Sequence, residues 1–226
     1  MPPLERLQLL IILLGGFALA MPWLAWARLR ALERRSGRAL LVRGVNGEQA
    51  ARIVLLRGEI DRVPVDETPD FLGDGYAAGE PALKLAQRTY FGRTLFAVVR
   101  AAGIAGHGLQ HRDRDRRVAR LGRIDGILVL WGNVWPILLL GVMLSPGRMG
   151  GLAAFAVLAI GLGIAQALTH ATVADAVRRG RAELDGARLL DGHPAGEIAD
   201  ALEAARLEHL AAPAKRTLWG ALRTRD

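Results

Sequence analysis

Three stretches of the chain carry no charged side chain: residues 7–27, between Arg6 and Arg28; 126–147, between Asp125 and Arg148; and 149–174, between Arg148 and Asp175. Each is at least as long as the roughly 20 apolar residues a helix needs to cross a bilayer. One such run fits a buried core helix; three predict three membrane spans. Between the first and second runs the pattern changes. Asn46-Gly47-Glu48-Gln49 has the spacing of a capping box and predicts a helix to about Arg57, with Gly58 available to end it. Arg62-Val63-Pro64-Val65 predicts a short edge strand, because Pro64 has no amide hydrogen to give a ladder. Residues 66–81 hold Pro69, Gly73, Gly75, Gly79 and Pro81 and read as loop. Residues 82–86, Ala-Leu-Lys-Leu-Ala, alternate and predict a second strand. From Thr94, the residues Leu95, Val98, Val99 and Ala102 recur at helical spacing, and the helix runs on through His107. Residues 112–120 mix arginine with aspartate and read as a solvated or lipid-facing charge run, with a docking patch as the alternative. After the third apolar run the chain continues to about Leu190. Gly192-His193-Pro194 makes a break, and a last amphipathic helix from Glu197 sets Ile198, Ala201, Leu202 and Ala205 on one side.

Charge gives these spans a direction. The chain has 226 residues, is 51% hydrophobic, carries a formal net charge of +8 and lacks cysteine. Arg28, Arg30, Arg34, Arg35 and Arg38 follow the first span, Arg112, Arg114, Arg116, Arg117, Arg120 and Arg123 precede the second, and Arg178, Arg179 and Arg181 follow the third. Only Arg148 lies between the second and third. Arginine-rich flanks stay in the cytoplasm, which places the N-terminus outside and both 28–125 and the C-terminal tail inside. Glu5 cancels Arg6 in the leading segment, so the first run reads as a retained anchor rather than a cleaved signal peptide. The positive charge is then a topology signal that also attracts anionic headgroups. No basic–aromatic module appears, so the expected partners are the lipid bilayer and a membrane protein or larger membrane complex, with no nucleic acid. The absence of cysteine excludes disulfides and thiol catalysis and fits a cytoplasmic face. The expected organisation is an anchor (1–27), a cytoplasmic domain (28–125), a two-helix transmembrane hairpin (126–174) and a cytoplasmic helical tail (175–226). Gly150, Gly151, Gly161 and Gly163 suit close helix approach in lipid. Trp131 and Trp135, four residues apart, predict one aromatic ridge on the second span.

Residues 102–111, Ala-Gly-Ile-Ala-Gly-His-Gly-Leu-Gln-His, raise the question of chemistry. A zinc-protease helix carries His-Glu-x-x-His, two ligands at i and i+4 with a glutamate base beside the first. Here His107 stands at the second ligand position, Gly103 at the first and Ile104 at the base. Residues 46–55 also look like a Thr-Gly-x-x-x-Ala-x-x-Ile-Leu helix. Tyr76, Lys84 and Leu85 fall where an Asp-His-Tyr-Asp-Pro tag and a strand belong, and Tyr90-Phe91-Gly92-Arg93-Thr94 is similar to Tyr-His-Gly-Arg-Ser. Gly106, His107, Gln110 and His111 match the helix that follows. In this order and spacing, over about residues 40–190, the chain resembles the bacterial membrane-bound neutral zinc metallopeptidases of the YugP type.

That resemblance implies a mainly α membrane protein of the bacterial inner membrane, with three transmembrane helices and a small α+β zincin-like cytoplasmic domain. It also implies that the chemistry has gone. The family's third ligand is a glutamate in a Leu-Pro-x-Glu-x-x-Ala segment; Leu168-Thr169-His170-Ala171 puts Ala171 there. Asp74-Gly75-Tyr76-Ala77-Ala78 likewise lacks the tag's histidine and second aspartate. Similarity fades after about Leu207, where the family continues into a further span and this chain has Lys215, Arg216, Arg223 and Arg225. Catalytic zinc needs three protein ligands and an open position, so no catalytic, cofactor-binding or metal-ligating residue is assigned and no cofactor is expected. His107, His111 and His170 leave open a new metal or porphyrin-type site; the alternative is that His107 is packed in the domain and His111 caps the helix or faces solvent. The reading is a catalytically inactive metallopeptidase homologue acting as a binding, scaffold or regulatory protein. Alternatives are a structural subunit of a larger, for example energy-transducing, membrane complex, or a hydrolase with a non-standard metal site.

Overall fold

The computed structural model describes residues 3–70, 73–146 and 148–215. The molecule is mainly helical, and three helices are long and apolar enough to cross a membrane. Helix α1 (Pro3–Ser36) contains the first, α5 (Arg116–Leu144) the second and α6 (Arg148–Gly186) the third. Leu7, Leu13, Phe17, Leu130, Ile137, Leu158 and Leu168 lie exposed on them. In water such surface is unfavourable; in hydrocarbon it is matched.

Neither α1 nor α6 stops where its uncharged run stops. Helix α1 continues through Arg28 to Ser36, and α6 runs unbroken through Asp175 to Gly186. These extensions build the rest of the protein. Helix α7 (Ala195–Lys215) packs along α1, burying Ala25, Leu29, Leu32, Ala204, Ala211 and Ala214 between them. Arg28 donates to Glu203 at 2.8 Å, and Arg35 and Ser36 donate to Asp200 at 2.8 and 2.6 Å. Arg216, Arg223 and Arg225 lie outside the described residues.

The second core gathers α2 (Gly47–Arg57), α4 (Leu95–Arg112), the extension of α6 and α7 around Val54, Leu55, Leu83, Leu85, Val98, Val99 and Leu184. The capping box at Asn46 forms as expected, with Gln49 N donating to Asn46 at 2.8 Å and Asn46 N donating back at 3.1 Å. Helix α2 ends at Gly58, but the left-handed residue is Glu59 (φ 58°). Thr94 caps α4.

The sheet differs from expectation. The first strand, β1 (Val65–Thr68), begins after Pro64 rather than around it, and a further strand, β2 (Gly75–Ala77), lies inside the expected loop. Together with β3 (Ala82–Ala86) they form a mixed sheet in the order β1-β3-β2, parallel on one side and antiparallel on the other. Pro64 contributes its carbonyl, which accepts from Leu83 N at 2.9 Å. A single helical turn, α3 (Gln87–Tyr90), follows β3.

The arginine–aspartate run is not merely solvated. Asp115 caps α5, Arg112 donates to the Gly58 carbonyl at 2.7 Å, and Asp113 pairs with Arg179 on α6. Among the four span glycines, Gly163 approaches α1 (a Cβ there would lie 3.1 Å from Ala18 Cβ) and Gly151 approaches Val142, while Gly150 and Gly161 face open space. Trp131 does not stand free on a ridge: its ring lies 5.4 Å from that of Phe155 on α6, and with Trp135 it lines a small crevice against Pro22 and Trp23 of α1.

Candidate functional site

The helix that carries the zinc-protease pattern is α4, and it is buried along most of its length. Its contact with α6 is a close crossing. A side chain on Gly106 would run into the Ala176 carbonyl, and one on Gly180 into the Ala102 carbonyl. Only glycine permits that approach. Gly103, one turn earlier, is less confined: a Cβ would meet Val177 Cγ2 at 3.0 Å.

His107 is 3% exposed, and its Nδ1 lies 2.9 Å from Gln110 Oε1. The amide of Gln110 is oriented by α6, since Nε2 donates to the Thr172 carbonyl at 2.9 Å and to Asp175 Oδ2 at 2.8 Å. With its nitrogen committed to two acceptors, Gln110 presents its oxygen to His107. Nδ1 therefore carries the proton and Nε2 the lone pair. Burial lowers the His107 pKa to about 4, against smaller opposing contributions from Gln110 and Asp175, so the ring is neutral at physiological pH. This is the tautomer and protonation state of a metal-binding imidazole, held by outer groups of the kind that orient such ligands.

The inner groups are missing. Gly103 and Ile104 offer no donor atom at the neighbouring helix positions, nor does Ala171 on α6. His111 is drawn elsewhere, its Nδ1 lying 2.8 Å from the Tyr76 hydroxyl, so it neither caps the helix nor faces open solvent. His170 Nδ1 is buried without a hydrogen-bond partner among the described residues. Among the described residues no three His, Cys, Asp or Glu side chains come together as a metal site. The residues present do not fit a catalytic zinc.

What remains is a cavity of about 400 Å³ beside α4. Ile104, Leu121, Val173, Val177, Ala205 and Ala212 give it apolar walls, with His107 and Tyr76 at one side. A charged cluster borders it. Arg100 pairs with Glu208, lies 3.6 Å from Asp74 and 4.0 Å from Glu33, and its side chain is only 12% exposed. Burial would lower the Arg100 pKa, but the carboxylates of Glu208, Asp74 and Glu33 more than reverse that and hold it above its ordinary value. Burial would raise Glu208, but Arg100, Lys215 and Arg88 hold it at about 2. Lys215 is lowered to about 8, chiefly by burial. Asp74 also accepts from Ala86 N at 2.7 Å and Thr89 Oγ1 at 2.9 Å, which ties the cluster to the end of β3. None of Arg100, Glu208 or Asp175 was marked by the sequence pattern; their signal is pairing across more than 60 residues of chain.

The model of a family described as "putative neutral zinc metallopeptidase" matches residues 10–219. A relative named "putative membrane protease YugP", from Bacillus subtilis (strain 168), is 31% identical over 113 residues, which covers 50% of this chain and 47% of the relative. The chain thus aligns with about half of that relative's length. No solved structure matches.

Proposed function

The chain belongs to this neutral zinc metallopeptidase family, and from that premise we propose that it is a non-cleaving member that works by binding within the membrane, as a scaffold or regulatory protein. The observation that carries this reading is the state of the three ligand positions and the base: glycine, isoleucine, histidine and alanine at 103, 104, 107 and 171. A zinc-bound water requires three ligands and a base within reach of its proton; one imidazole supplies neither. The support around His107 is intact, so the frame retains its shape without its reaction. Its partner in this reading is a membrane protein or larger membrane assembly.

The test is metal analysis of the purified full-length protein together with a peptide-cleavage assay. The expected result is far less than one zinc per chain and no cleavage above a no-enzyme control. One tightly held zinc per chain, lost in His107→Ala along with peptide cleavage, overturns the proposal.

The same reading places residues 28–125 and the C-terminal part in the cytoplasm and the N-terminus outside, on the arginine-rich ends of the spans. The chain has no native cysteine, so single-cysteine labelling has no background. Cysteine introduced at the exposed Leu40 is expected to resist an impermeant thiol reagent in intact cells, and cysteine introduced at Ser145 to react. The reverse pattern refutes the orientation.

A further inference from the structure

The cavity beside α4 has three properties that define an occupant. First, its walls include Gly126, where the uncharged stretch of α5 begins, and Val173, next to where that of α6 ends, with Leu121 and Val177 just beyond them on the charged side. It therefore lies at the level where hydrocarbon gives way to headgroups, and its apolar lining continues that of the spans. Second, its polar wall offers an acceptor. His107 Nε2 holds a lone pair and has no hydrogen-bond partner among the described residues, because Gln110 takes the other ring nitrogen. A lone pair calls for an O–H or N–H, which an anion such as a carboxylate does not provide. Third, the ions at the rim balance. Arg88, Arg100 and Lys215 pair with Glu33, Asp74 and Glu208, and of these Arg100, Asp74 and Glu208 line the cavity. Arg100 and Glu208 already satisfy each other, so a charged head would bring in a charge with no free partner beside a little-exposed ion pair, which is disfavoured.

We propose that this cavity binds a neutral single-chain amphiphile from the bilayer, of the monoacylglycerol class. One head hydroxyl donates to His107 Nε2, the other meets the Arg100–Glu208 pair, and the chain lies along Ile104, Val173 and Val177. The volume of about 400 Å³ lies in the range of small-molecule sites. The inference concerns what fills the space and stands whether or not the protein also acts as a scaffold. A polypeptide strand laid against β2 is the competing occupant, and the experiment separates the two.

The experiment uses the full-length protein in nanodiscs and a monoacylglycerol carrying a photoreactive diazirine in its chain, with labelled peptides mapped by mass spectrometry. Expected is saturable labelling of one probe per chain in peptides containing residues 173–177 or 205–212. Unlabelled monooleoylglycerol should compete at least tenfold better than oleate, lysophosphatidylglycerol or a mixed peptide pool. Ala212→Phe, which fills the cavity, should abolish labelling with the melting temperature unchanged. Ile104→Phe serves the same purpose if Ala212→Phe does not fold. His107→Leu should weaken binding by roughly three- to tenfold, the value of one hydrogen bond. Labelling spread over lipid-facing residues such as Leu130 and Leu158, saturable labelling that survives both filled variants, or equal competition by oleate or peptide would each overturn the proposal.

Discussion

Where α4 crosses α6, Gly106 and Gly180 bring backbone against backbone; one turn earlier, Gly103 meets only a side chain of α6 and borders, with Ile104 and with Ala205 of α7, an open cavity of about 400 Å³. Two glycines three residues apart on one helix thus have opposite meanings. Gly106 is required by its surroundings, because any side chain would displace the Ala176 carbonyl. Gly103 is less tightly required, since a Cβ there would meet Val177 Cγ2 at 3.0 Å, a side-chain methyl and not backbone. The contrast separates the frame of the metallopeptidase fold from its reaction. The frame depends on how close two helices come. A zinc peptidase's reaction depends on which atoms face the space beside them.

The contrast can be broken most severely at the charged rim. Glu208→Gln leaves Arg100 and Lys215 short of a buried partner, and removing one member of such a network costs about 3–5 kcal/mol; a large drop in melting temperature in detergent is expected. The acid response should change too. The Glu208 carboxyl is held near 2 against an ordinary value of 4.5. In the window between these values the unfolded chain takes up a proton that the folded chain refuses. The contribution of Glu208 is therefore complete above about pH 4.5 and is lost as pH falls toward 2. Melting temperature measured across that window should fall less steeply in Glu208→Gln than in the parent; equal slopes would remove Glu208 from the account.

Next in size is the crossing. Gly106→Ala adds a single methyl against a backbone carbonyl and should destabilise by about 3 kcal/mol, the upper end of the usual overpacking cost. The smallest effect belongs to the other glycine. Gly103→Ala gains about 1 kcal/mol of helix propensity and must shift Val177 by a few tenths of an ångström, so its melting temperature should stay within about 3 °C of the parent. If Gly103→Ala is as damaging as Gly106→Ala, the two positions are not different after all.

The elements that local chemistry specifies were legible from sequence. Asn46 and Gln49 announce α2 because each bonds the other's backbone amide, a pattern complete within four residues. The spans were legible because no charge interrupts them. Strand β2 was not, because three residues with only Tyr76 to mark them carry too little alternation to register. Long-range pairing misled in a different way. Arg28 and Arg35 read as flanking charge, yet they are also the groups that fasten α1 to Glu203 and Asp200 on α7. At the candidate site, the missing ligands at 103 and 171 and the missing base at 104 were visible as letters. The orientation of His107 was not, because it depends on Thr172 and Asp175, which lie more than 60 residues along the chain from Gln110.

Helix α6 has a mechanical consequence. Its 39 residues form one uninterrupted rod, about 58 Å long at a rise of roughly 1.5 Å per residue. One end sits among apolar side chains open to lipid, and about two thirds of the way along lie Val173, Asp175, Ala176 and Val177, which wall the cavity, orient Gln110 and meet Gly106. A spanning helix tilts when the thickness of the surrounding membrane changes. A tilt of about 5° about the first residue of such a rod moves Ala176, about 42 Å along it at roughly 1.5 Å per residue, by about 4 Å. Because the crossing at Gly106 has no slack, that swing is passed to α4 instead of being absorbed between the helices. The same rod that anchors the protein is therefore a lever whose load is the cavity wall.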